Sequence, residues 1–147
     1  MGLVAHVDWN QTHFCIILLV DGNLTESCMV DAVKTATEAK TVAMRELDVR
    51  SRFSGDLASG TVTDTVVVAC TKRGKPVKYS GTATVLGEMI GKAVKESVKK
   101  AIQKHEKLTA NRSVTQRLEE RGISLPNIIT VFSETHPTIR GDSEKLG

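Results

Sequence analysis

Aromatic side chains are nearly missing from this chain. Trp, Tyr and Phe make up 3% of 147 residues, with a single Trp and a single Tyr. Its core must therefore come from Val, Ile, Leu, Ala and Met. The rows of rings on which single-stranded nucleic acids stack are not available. Cysteine is scarce as well: Cys15, Cys28 and Cys70, with no C-x-x-C pair. An odd number of thiols, without a secretory segment, points to a reducing cytoplasm. The opening MGLVAHVDWN has neither a basic n-region nor a long apolar h-region, so it is not a signal peptide. The longest apolar run, residues 14–20, is far too short to span a bilayer. Charge is nearly balanced, with 20 basic and 17 acidic side chains and a net charge of +3, too little to imply a polyanionic partner. The expectation is a cytoplasmic protein that binds neither nucleic acid nor membrane. Also missing are the G-x-S-x-G elbow, the P-loop, a dinucleotide fingerprint and H-E-x-x-H. His6, Asp8 and His13 match no metal-ligand spacing, so no metal site is expected.

What is present centres on Ala58-Ser59-Gly60-Thr61-Val62-Thr63-Asp64, which runs into Thr65-Val66-Val67-Val68-Ala69-Cys70. A small, hydroxyl-rich loop ending in an acid feeds a β-branched apolar strand. Thr61, Thr63 and Thr65 share one face if the segment is extended. A carboxylate and hydroxyls at the mouth of a core strand could polarise a substrate. The same residues would equally cap their own turn.

Along the chain, residues 1–13 read as polar and mixed, and residues 14–20 as a buried strand ended by Asp21-Gly22-Asn23. A long helix follows with Asn23 or Thr25 as N-cap. Its stripe runs through Cys28, Ala32, Ala36, Ala39 and Ala43, which predicts close packing on a sheet. Glu38 and Lys40 lie about 200° apart on that helix, so one points toward the packed side. Lys34 and Glu38 have the spacing of a weak pair. Residues 48–53 form a short extended candidate. Strand 65–70 is expected to turn through residues 71–76 into a return strand over 77–83, as a hairpin. Thr84 caps a second long helix, with Leu86, Ile90, Val94, Val98 and Ile102 on its apolar face. Gly87 and Gly91 inside it each cost roughly 1 kcal/mol relative to Ala, which implies a packing or ligand reason. Its outer face carries Lys92, Lys95, Lys99, Lys100, Lys104 and Lys107. A short helix at 113–121, a strand at 128–132 and a polar tail complete the chain. These elements give an α/β (α+β) class. A mixed, partly antiparallel sheet is packed by two long helices and one short one. Residues 1–134 form a single domain, and 135–147 a loose tail.

Three blocks together resemble the adenosylcobinamide amidohydrolase family. They are Thr37-Glu38-Ala39-Lys40-Thr41, the 58–69 stretch, and Gly81-Thr82-Ala83-Thr84-Val85-Leu86-Gly87-Glu88-Met89-Ile90-Gly91. The resemblance covers roughly residues 14–105. It implies hydrolysis of the aminopropanol amide of adenosylcobinamide to adenosylcobyric acid in corrinoid salvage. The partner would be a corrinoid small molecule. No protein cofactor is implied, since the cobalt belongs to the substrate. Family members usually carry a substantial segment before the block near Phe14, and a His where this chain has Ala83. A non-catalytic corrinoid-binding or assembly domain is the alternative. On the catalytic reading, Asp64 orients or deprotonates water. Backbone N–H groups near Gly60 and Thr61, with the hydroxyl of Thr61 or Thr63, hold the oxyanion, and Glu38 or Lys40 serves the leaving amine. Ser59, Gly81, Thr82 and Thr84 line the pocket. This scheme requires loop 58–64, the 81–87 turn and Glu38 to meet in one cavity. The Gly and Ala ladders point to a homo-oligomer.

Overall fold

The computed structural model describes residues 1–10, 13–106 and 112–135. The chain divides into two compact units, residues 1–110 and 111–147.

In the first unit, strand β1 (Gly2–Asn10) pairs antiparallel with β2 (His13–Asp21). The stretch read as polar and mixed thus contains a regular strand, β1. Leu3, Ala5, Val7 and Trp9 alternate inward while Val4, His6 and Asp8 face outward, which is the period of a half-buried strand. Short β3 (Asn23–Leu24) leads to helix α1 (Glu26–Glu46), and the Thr25 hydroxyl accepts the Cys28 N–H at its N-cap. Thr25→Ala is expected to cost about 1 kcal/mol in chemical denaturation. The Ala ladder packs as the sequence requires, since Cys28, Ala32, Ala36 and Ala43 are fully buried. β4 (Thr65–Cys70) then pairs parallel with β2, giving the order β1-β2-β4. The crossover through α1 makes this pairing parallel.

The expected hairpin after β4 does not form. Lys72 and Gly74 adopt positive φ. The N–H groups of Thr71 and Lys72 donate to the carbonyls of Val20 and Gly22, and Lys72 Nζ reaches the Leu24 carbonyl at 2.7 Å. The chain therefore follows the exit of β2 instead of folding back along β4. Short β5 (Pro76–Val77) pairs parallel with β3 in a second small sheet. The sheet remains mixed, with its antiparallel pair at β1–β2. Residues 48–53 contribute only an isolated bridge, Arg50 to Leu57.

Helix α2 (Val85–Glu106) buries Leu86, Ile90, Val94, Val98 and Ile102 in one ladder. Lys95 and Lys99 on its flank pair with Glu46 of α1. The hydrogen bond from Lys99 is the main reason that the Glu46 carboxyl sits below its ordinary value, against a desolvation that raises it. Both helices cover the same face of the sheet, where the side chains of Phe14, Ile16, Leu18 and Val20 meet them.

In the second unit, α3 (Val114–Glu120) begins with a capping box between Ser113 and Gln116, and Gly122 follows it at φ 68°. Residues 128–132 are not a strand but part of α4 (Leu125–Thr135). A five-residue apolar run does not distinguish the two structures. Here the Ser124 hydroxyl accepts the Asn127 N–H, and Pro126 falls in the first turn, where its missing N–H costs nothing. Lys107 and the tail from 136 onward lie outside the described residues. Among the described residues, no helix is long and apolar enough to cross a membrane.

Candidate functional site

The polar loop ahead of β4 folds onto α1. Lys40 has only 4% of its surface exposed, which settles the ambiguity on that helix. Lys40 faces the packed side and Glu38 faces solvent. The Lys40 ammonium pairs with the Asp64 carboxylate. Asp64 also accepts the Thr61 hydroxyl at 2.5 Å, the Thr61 N–H at 3.3 Å and the Phe14 N–H at 3.3 Å. Burial alone would raise the Asp64 pKa. The hydrogen bonds from Lys40 and Thr61, with the Lys40 charge, outweigh that and hold the carboxyl below its ordinary value. Asp64 is thus an ionised acceptor fixed at the entrance of β2 and β4.

The loop can approach this pair because position 60 has no side chain. A Cβ on Gly60 would lie 2.8 Å from an Asp64 oxygen and 3.2 Å from Lys40 Nζ. The Ser59 carbonyl accepts the Thr41 hydroxyl at 3.0 Å, pinning the loop to α1 one residue beyond Lys40. The Phe14 ring lies 5.9 Å from Lys40 Nζ, and the Trp9 ring stacks tilted on Phe14 at 4.3 Å. The indole N–H of Trp9 is buried without a hydrogen-bond partner. Pattern reading missed both aromatic neighbours. Trp9 was hidden in a strand interrupted by His6 and Asp8, and Phe14 acts through its backbone and ring face.

The third block folds elsewhere on the same helix. The Ser80 N–H donates to Asp31 at 3.0 Å, and the Thr35 hydroxyl donates to the Ser80 carbonyl at 2.9 Å. Asp31 is also bound by Lys34, at 2.7 Å, so the expected Lys34–Glu38 pair gives way to Lys34–Asp31. The Lys34 bond, followed by the Ser80 N–H, draws the Asp31 carboxyl below its usual range, and the Lys34 ammonium is raised in return. Gly81 turns the chain, its carbonyl accepting the N–H and hydroxyl of Thr84 at 2.9 and 2.8 Å. From Asp31 to Lys40 is roughly 13 Å along the helix axis and half a turn around it. The structure therefore brings together Lys40, Gly60, Thr61 and Asp64, with Ser59 beside them. It holds Gly81 and Thr84 in a separate turn and leaves Glu38, Thr63 and Thr82 exposed. The single cavity expected from the sequence resolves into two clusters on α1. Among the described residues, no three His, Cys, Asp or Glu side chains gather as a metal would need.

Residues 14–110 match the adenosylcobinamide amidohydrolase family. The chain belongs to that family. An uncharacterized protein of Methanocaldococcus jannaschii is 48% identical over 94 residues, 63% of this chain and 36% of that protein. An adenosylcobinamide amidohydrolase of Methanosarcina mazei is 33% identical over 97 residues, 60% of this chain and 45% of that protein. The chain thus spans less than half the length of these curated relatives. No solved structure matches it. The segment shared with the adenosylcobinamide amidohydrolase family takes in α1, the 58–64 loop and the 80–84 turn, and so both clusters, whereas β1 lies ahead of it.

Proposed function

We propose that this chain hydrolyses the amide linking aminopropanol to the corrin side arm of adenosylcobinamide, releasing adenosylcobyric acid for cobamide salvage. The reaction adds water oxygen to the amide carbon, breaks the C–N bond and places a proton on the departing amine. It needs an oriented nucleophile, a charge opposite the developing oxyanion and a proton donor. The observation that carries this reading is the Lys40–Asp64–Thr61 cluster, built from two blocks of a corrinoid amidohydrolase family and reached through half-buried Thr61. With several donors on it, Asp64 is a weak base and a strong orienting group. It positions water or the Thr61 hydroxyl against the carbonyl. Lys40 supplies the positive charge for the oxyanion and the proton for the amine. Gly81, Thr82 and Thr84 are assigned to contacts with a more distant part of the substrate. The cobalt arrives within the corrinoid. Purified chain is expected to release aminopropanol from adenosylcobinamide, and Asp64→Ala to slow release at least about 100-fold. Equal rates would remove Asp64 from the mechanism.

A second reading, a corrinoid-binding domain without catalysis, is favoured by the exposed methyl of Ala83, where the resemblance leads one to expect an imidazole. Calorimetry with cobinamide beside the product assay separates the two. Heat of binding without aminopropanol release supports the second.

A further inference from the structure

Trp9 lies ahead of the segment that matches the family, yet the sheet places it next to the candidate site. The antiparallel register sets Trp9 opposite Phe14, and the parallel register begins at Cys15 beside Thr65, one residue past Phe14 and Asp64. The Phe14 N–H closes the gap between the last two by donating to Asp64 at 3.3 Å. Trp9, Phe14 and Asp64 thus form one row across the end of the sheet, with Lys40 of α1 against it. We propose that Trp9 is a positioning residue for the Lys40–Asp64 pair, acting through the ring of Phe14. The kinetic consequence rests on the proposed hydrolysis, and the structural one does not.

Phe14 links the two, because it meets both members of the pair. Its backbone N–H is on the Asp64 carboxylate, and its ring lies 5.9 Å from Lys40 Nζ, within the range over which a cation is drawn to a ring face. Lys40 needs such a contact. Its ammonium carries three N–H groups on a flexible four-carbon stem, and among the described residues it donates to Asp64 alone. One hydrogen bond leaves the direction of such a group loosely set. The fully buried Phe14 ring supplies the second constraint. That ring is in turn held by Trp9, whose ring stacks on it at 4.3 Å with the planes inclined by 35°, a tilt that avoids the disfavoured face-to-face sandwich. Adjacent strands are about 4.8 Å apart, so two spacings, roughly 10 Å, separate the backbones of Trp9 and Asp64. Trp9 therefore works through Phe14 and not by contact with the carboxylate. Its indole N–H is buried without a partner, so Trp9 brings no hydrogen bond to this row. What it brings is a ring face, which Phe can also supply and an aliphatic side chain cannot.

Trp9→Leu is expected to lower kcat for aminopropanol release at least about tenfold, with KM held within about twofold. In the same variant the Phe14 amide is expected to exchange hydrogen at least about tenfold faster relative to the Leu18 amide of the same strand. A general loss of stability would speed both amides alike and leave that ratio unchanged. Trp9→Phe, which keeps a ring, is expected to hold kcat and the exchange ratio within about threefold of wild type. Should Trp9→Leu fail to fold, Trp9→Met is judged by the same criteria. With an active wild type, a Trp9→Leu that leaves either kcat or the exchange ratio unchanged overturns the proposal, as does a Trp9→Phe as impaired as Trp9→Leu. A wild type that releases no aminopropanol refutes the hydrolysis instead, and the exchange ratio then decides the role of Trp9.

Discussion

Gly87→Ala is expected to lower the free energy of unfolding by about 3 kcal/mol or more, whereas Gly91→Ala in the same helix raises it by about 0.5–1 kcal/mol. A Cβ at position 87 would lie 2.6 Å from the Ser80 carbonyl oxygen and closer still to that of Gly81. Both obstacles are backbone, and the turn that carries them is tied to Asp31 and Thr35. It cannot yield without releasing α2 from its cap, since the Gly87 N–H is itself held by the Thr84 hydroxyl. At position 91 nothing lies within 4 Å of an added Cβ, so only the helix preference for Ala over Gly remains. Denaturant titration of the two variants is decisive. Equal effects would mean that the turn does not press on the helix.

Lys40→Met is expected to cost about 2–3 kcal/mol, because it leaves the Asp64 carboxylate partly desolvated without its cation. The figure lies below that for fully buried pairs because the Asp64 side chain retains 21% exposure. Pairing it with Asp64→Asn should recover part of the loss, and a double-mutant cycle gives the coupling. The pH dependence follows from the lowered Asp64 pKa. Between the folded and unfolded values the unfolded chain binds more protons, so stability rises with pH there. The contribution of Asp64 is complete above the unfolded value, near pH 4, and is lost as pH falls through the folded one. The stability gap between wild type and Asp64→Asn should therefore narrow in acid and stay constant from pH 5 to 7. A gap that widened in acid would contradict the ionised assignment.

Several parts of this architecture are legible in the residues. Helical period marks α1 and α2, and the β-branched run marks β4 to the residue. The loop at 58–64 announces itself through Gly60 and Asp64. What escaped has physical causes. β1 carries His6 and Asp8 on a solvent face, which conceals its alternation. Strand partners are chosen by backbone geometry at Lys72 and Gly74, which side-chain pattern does not encode. The Ile128–Phe132 run belongs to a helix because of Ser124 and Pro126 outside it. Lys40 and Asp64 could be named but not joined, since 24 residues separate them. Gly87 was suspect as a helix glycine, and only the fold distinguishes packing from ligand approach.

The bond from the Phe14 N–H to Asp64 spans 50 positions in the chain, and this has a kinetic meaning. β1 and β2 are neighbours and zip locally, and α1 coils without distant help. β4 must instead travel back across the whole of α1 before it gains a single ladder contact, a search whose entropy is spent before any reward. The acid at the threshold of β4 thus closes a ring of 50 positions, and late arrival is built into the part of the molecule where the chemistry is assigned.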